Sequence, residues 1–162
     1  MLNRLFPPNI NNQYQGSWIA LWLFIPVLLL KSIMGFNFSG LNPFIDLKDI
    51  LQSVDGVPMD TYPAAVVTTI VNVSSAWGIA LLSLCLFVWL IVLRYRSALP
   101  LAILVVLVEQ LGRTGLDLIP LISRMIVEGR FPGPGGYLNL GMALALVAAF
   151  AFSLALKRKP KP

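Results

Sequence analysis

Three ionisable side chains, Glu109, Arg113 and Asp117, follow one another at four-residue intervals inside a long apolar stretch of this 162-residue chain. On a helix that spacing sets all three on one face, flanked by Gln110 and Thr114. One chemistry open to such a face is a proton or ion pathway. A carboxyl withdrawn from water holds its proton more tightly, although an adjacent arginine pushes the other way. The other use is structural. Glu109 to Arg113 has the favoured orientation for an intrahelical ion pair, Arg113 also reaches Asp117, and such a ladder fixes helix register.

Each charge costs roughly 2.5–3.5 kcal/mol at the centre of a membrane helix. Three of them facing lipid would be prohibitive, so this face must turn toward neighbouring helices. The preceding apolar run offers Thr68, Asn72 and Ser75 at i, i+4 and i+7, a polar stripe suited to interhelical hydrogen bonds with it. Serine, threonine and asparagine also hold membrane helices together with no further role, so the stripe does not by itself mark a ligand site.

Other chemistries are excluded by composition. The chain has no histidine and a single cysteine, Cys85, which removes histidine-ligated haem, histidine acid–base catalysis, Cys/His zinc sites and an internal disulfide. No catalytic residue, metal site or cofactor is therefore assigned. An enzyme would depend on carboxylates, hydroxyls and arginine, and nothing groups these around a nucleophile and base. The Gly129–Gly136 segment is rich in glycine and proline but lacks the Gly-Lys-Ser/Thr ending and preceding strand of a phosphate loop, so it reads as a turn.

The elements that carry these residues belong to a membrane protein. Apolar residues make up 57% of the chain and charged residues 12%, against roughly 45–50% and 25% in soluble domains. Four apolar runs, at about 17–36, 63–93, 98–127 and 137–156, are long enough to cross a hydrocarbon core of about 30 Å. The expected fold is an all-α, four-helix transmembrane bundle forming one domain over residues 1–162. Pro26 is expected to kink the first span, and the run carrying it lacks a cleavage signal. Pro63 suits the first turn of the second, with Asp60 and Thr61 as cap candidates. Between these spans, Leu47, Ile50, Leu51 and Val54 line one face of a short amphipathic helix, placed between Asn42-Pro43 and Asp55-Gly56.

Topology follows from the basic residues. With both termini inside, the inner side carries seven (Arg4, Arg94, Arg96 and the tail residues Lys157, Arg158, Lys159 and Lys161) and the outer side three, Lys48, Arg124 and Arg130. The short amphipathic helix then lies outside, and Lys31 sits near enough to the outer end of its span to snorkel. The net charge of +5 is concentrated in the tail, 157–162, which suits anionic lipid headgroups and not nucleic acid. The last span carries Gly141, Ala145, Ala149 and Ser153 at every fourth position, a small-residue ridge for close helix packing, within the chain or in a homo-oligomer. Trp18, Trp22, Tyr95 and Tyr137 stand near span ends, as interfacial anchors do.

Short phrases resemble a group of small four-helix membrane proteins of bacteria. They are Gly16-Ser-Trp-Ile-Ala-Leu-Trp-Leu-Phe24, Asp55-Gly-Val-Pro-Met-Asp60, Arg94-Tyr-Arg-Ser-Ala-Leu-Pro100 and Glu109-Gln-Leu-Gly-Arg113. The resemblance touches about a quarter of the chain and implies a bacterial inner-membrane address. No activity is attached to the group, so it gives no residue a role. The expectation is a non-enzymatic inner-membrane protein, structural or accessory, working in the lipid bilayer and open to a membrane-protein partner. A small transporter or ion pathway through Glu109, Arg113 and Asp117 is the competing expectation.

Overall fold

The computed structural model describes residues 5–53, 57–128 and 134–155, with side chains described over 5–53, 57–115 and 136–155. Within these limits the chain is all-helical. Four long helices, α1 (Trp18–Phe38), α3 (Ala64–Arg94), α4 (Leu99–Glu128) and α5 (Pro134–Leu154), are joined by a short helix, α2 (Leu47–Ser53), and two 3-10 turns, Met59–Thr61 and Arg96–Ala98. Four helical stretches are long and apolar enough to span a membrane: Trp18–Phe38, Ala64–Arg94, Arg96–Gly115 (the turn before α4 and its first half) and Gly136–Leu154. The chain resolves into two compact units, one comprising 28–89 and the other 1–27 with 90–162.

In the 28–89 unit the second half of α1 and most of α3 approach through glycine. A Cβ on Gly35 would press on the backbone of Leu82, and one on Gly78 would collide with the backbone of Phe38 and Ser39. Hydrocarbon gives helices no hydrophobic reason to associate, so their attraction comes from van der Waals contact and hydrogen bonds, both of which need close backbones. The approach brings polar groups into reach. Ser75 Oγ donates to the Ser39 carbonyl at 2.8 Å, and Trp89 Nε1 donates to Ser32 Oγ at 3.0 Å. Cys85, close to them in sequence, is buried, as its apolar surroundings suggest.

Helix α2 has only seven residues, too few to stand without tertiary support. Leu47, Ile50 and Leu51 are buried in a cluster with Phe38 and Met59, edged by Val67, Ile70, Val71 and Trp77. Trp77 meets the Phe38 ring edge-on at 5.1 Å. The outward face is tied down by Asp60, which accepts from Gln52 Nε2 at 2.7 Å and from Lys48 Nζ at 3.1 Å. Those donors hold the Asp60 carboxyl below its usual range, the Gln52 hydrogen bond first.

Several local expectations shift. Helix α2 starts later than Asn42-Pro43, because Asp46 is its cap: Asp46 Oδ1 accepts from the Lys48 N–H at 2.9 Å. Asn42 instead closes its own turn onto the Phe44 N–H. Val54, Asp55 and Gly56 lie outside the described residues. Helix α3 begins one residue after Pro63, whose carbonyl accepts from Val66 and Val67. Neither Asp60 nor Thr61 caps it, since Asp60 is held by α2 and Thr61 Oγ1 donates to the Pro58 carbonyl. Pro26 lies within α1 on its exposed side, as its place in the first span anticipates. Lys31 does not snorkel: it is 1% exposed, and it is not without a partner.

Replacing Gly78 with alanine is expected to lower thermal stability in detergent by about 1–3 kcal/mol, the usual cost of overpacking. Gly112, where an added Cβ meets nothing, serves as control. Gly112→Ala should hold or gain stability through helix propensity. Equal melting temperatures for the two variants would show that the α1–α3 approach is not tight.

Candidate functional site

In the other unit, α4 and α5 lie against one another. Among the described side chains of α4, Leu99, Ala102, Ile103, Val106, Leu107 and Gln110 are buried, a helical repeat of three and four that carries an amide at its last described position. Gln110 is 0% exposed. Its Nε2 donates to the Asn139 carbonyl of α5 at 3.1 Å and to Thr114 Oγ1 one turn on at 3.2 Å. Its Oε1 is also buried and receives no hydrogen bond among the described residues. A buried amide left half satisfied is costly, so this oxygen is a natural seat for a water.

Glu109 and Arg113 stand on the flank of this face, half-buried, and neither is a free charge. The helix carries them about 6 Å apart along its axis. Asp117 continues the same helical register, but its side chain lies outside the described residues. The polar face of α4 is thus centred on Gln110, with the two charges beside it.

The second polar stripe divides. Thr68 is exposed and donates within its own helix to the Ala64 carbonyl, and Asn72 is exposed as well. Ser75 is the member that makes a contact between helices, to Ser39. On α5 the small-residue ridge is only half used. Ala149 and Ser153 are buried, whereas Gly141 is open and has nothing within reach of a Cβ. The buried stripe runs through Met142, Leu146, Ala149 and Ser153, since the two larger side chains supply contact that glycine cannot.

A polar end of the same unit went unmarked by motif. Residues ahead of α1 fold back on the turn before α4: Asn11 N–H donates to Ser97 Oγ at 2.9 Å and its carbonyl accepts from the Ser97 N–H at 3.1 Å. Asn11 Oδ1 takes the Gln13 N–H at 2.9 Å. Tyr14 donates to the Ser17 carbonyl at 3.1 Å, and burial pushes its phenol up to about 12. Ser17 N–H in turn bonds the Phe152 carbonyl near the end of α5. These contacts enclose a cavity of about 180 Å³ bordered by Asn11, Gln13, Tyr14, Ser97, Pro100 and Ser153. A wider groove of about 580 Å³ adjoins at Asn11, bounded by Asn12, Leu90, Leu93, Arg94 and Tyr95. Glu109, Gln110 and Arg113 border neither.

Among the described residues no group of three His, Cys, Asp or Glu side chains is placed to hold a metal ion. No known protein family, curated protein or solved structure matches the chain.

The two roles of Gln110 separate by substitution. Gln110→Leu removes the hydrogen bond to Asn139 together with the unmet acceptor, and interhelical hydrogen bonds in membranes average only about 0.6 kcal/mol. Its thermal stability in detergent should stay within about 1 kcal/mol of wild type. Gln110→Ala leaves a cavity and should lose about 2 kcal/mol or more. A leucine variant as unstable as the alanine one would mean that the amide itself holds α4 to α5.

Proposed function

We propose that the chain is a multi-pass protein of the bacterial inner membrane with a structural or accessory role that is not enzymatic. Both termini lie on the cytoplasmic side and α2 lies outside. The basic residues support that orientation, seven inside against three outside. Anionic lipids at the tail are the expected first partners, with a further membrane protein or a second copy as the client of an accessory role.

The observation that carries this reading is the use made of Gln110. The most deeply buried polar side chain among the described residues of α4 donates to the backbone of α5. That is the behaviour of a helix-packing group, and the flanking Glu109 and Arg113 are likewise not free. The hydroxyls of Ser32, Thr68, Ser75 and Ser83 follow the same pattern, each donating to a backbone carbonyl.

A second reading, a small transporter or ion pathway along Glu109, Arg113 and Asp117, is favoured by one specific feature. Among the described residues Gln110 Oε1 is a buried acceptor without a donor, a place where a water could sit. Vesicles containing the purified chain and a pH-sensitive dye discriminate between the two. The structural reading expects proton flux equal to that of empty vesicles, unchanged in Glu109→Gln. Flux above that baseline, lost in Glu109→Gln, would replace it with the pathway.

A further inference from the structure

The groove at the end of α3 is built in layers. Leu90, Leu93 and Arg94 fall at i, i+3 and i+4 on one helical face, and the leucines are 49% and 64% exposed. Arg94 stands one turn beyond Leu90, exposed, with no acidic partner among the described residues. Its neighbour Arg96 is occupied differently, donating from Nε to the Val92 carbonyl at 3.0 Å. Asn11 and Asn12 also line the groove, and Asn11 borders the smaller cavity as well. That cavity is neutral and rich in hydrogen-bonding groups: Asn11, Gln13, Tyr14, Ser97 and Ser153. The Tyr14 hydroxyl keeps its proton well above neutral pH, so it brings no negative charge.

We propose that this groove holds one anionic phospholipid with a hydroxylated headgroup. An acyl chain lies on Leu90 and Leu93, the phosphate pairs with Arg94, and the headgroup hydroxyls enter the polar cavity beside Asn11. The sequence of surfaces matches the molecule: apolar floor, single cation, neutral polar recess. A guanidinium is well suited to a phosphate, which it can engage through two parallel N–H donors. The leucine floor favours a lipid over a free phosphate ester, because two half-exposed leucines gain nothing from a wholly polar ligand. The recess favours a polyol over an ammonium headgroup, because among the described residues no Asp or Glu lines either space to receive a positive charge. This site rests on the membrane reading and adds to it a fixed lipid distinct from diffuse attraction by the basic tail.

The test uses the full chain extracted from membranes into a non-ionic detergent and titrated with phosphatidylglycerol under native mass spectrometry. Wild type should retain one lipid at concentrations where phosphatidylcholine is lost. Arg94→Gln should lower that bound fraction at least fivefold, and Leu93→Gln about threefold. A variant with Lys157, Arg158, Lys159 and Lys161 all changed to Gln should keep the first lipid. Should Arg94→Gln fail to fold, Leu93→Gln and the wild-type selectivity still decide. Retention by Arg94→Gln with loss in the tail variant would overturn the proposal in favour of the tail. Equal retention of phosphatidylcholine would overturn it, and so would displacement of the lipid by an equal concentration of glycerol 3-phosphate. Failure of the chain to sediment with membranes before extraction would count against the membrane reading instead, which separates the two.

Discussion

Hydrocarbon offers no hydrogen bonds, so any polar atom carried into it must find a partner within the protein. This constraint organises the apolar helices more strongly than their hydrophobicity does, because lipid tails solvate leucine as well as another helix can. Its effect is visible side chain by side chain. Ser32, Thr68, Ser83 and Ser153 donate to carbonyls three or four residues earlier in their own helices. Ser75 and Trp89 reach across to the facing helix. Gln110 on α4 bonds the backbone of α5 and, among the described residues, leaves one acceptor unmet.

Close packing supplies the remainder. Gly35 and Gly78 stand where α1 and α3 approach most tightly, and the hydrogen bonds from Ser75 and Trp89 lie near them in sequence on the same pair of helices. The short helix α2 depends on other physics. Its three apolar residues are covered by Phe38 and Met59, while Asp60 gathers Lys48 and Gln52 on the opposite face. An exposed ion pair contributes little by itself. Joined to a cap and an apolar cluster, it gives seven residues a single place to sit.

Much of the architecture can be read from hydrophobic runs alone. Four stretches of apolar residues, broken by proline and charge, correspond to the four long helices, and the 47, 50, 51 spacing corresponds to the buried face of α2. What cannot be read that way depends on neighbours far along the chain. Asp46 rather than Asn42 caps α2, a choice between two good capping residues made by where the apolar face must land. Lys31, by its position near a span end, is placed to reach water, yet the fold buries it. On α4 the eye goes to Glu109 because it is charged, yet one residue on a helix is a turn of 100°, and Gln110 takes the inward position. The polar recess around Asn11 and Tyr14 has no motif, because it is assembled from a return of the N-terminal segment onto Ser97 and Phe152.

The packing of α4 turns on the direction in which its polar side points. Cysteine-directed spin labels report that direction in lipid vesicles, with Cys85 first replaced by alanine. Labels at 106 and 110 should be shielded from oxygen dissolved in the bilayer, and labels at 108 and 111 should be open to it, following the burial of Val106 and Gln110 and the exposure of Val108 and Leu111. Oxygen contact at 110 equal to that at 108 would place the amide among lipid tails and contradict the account.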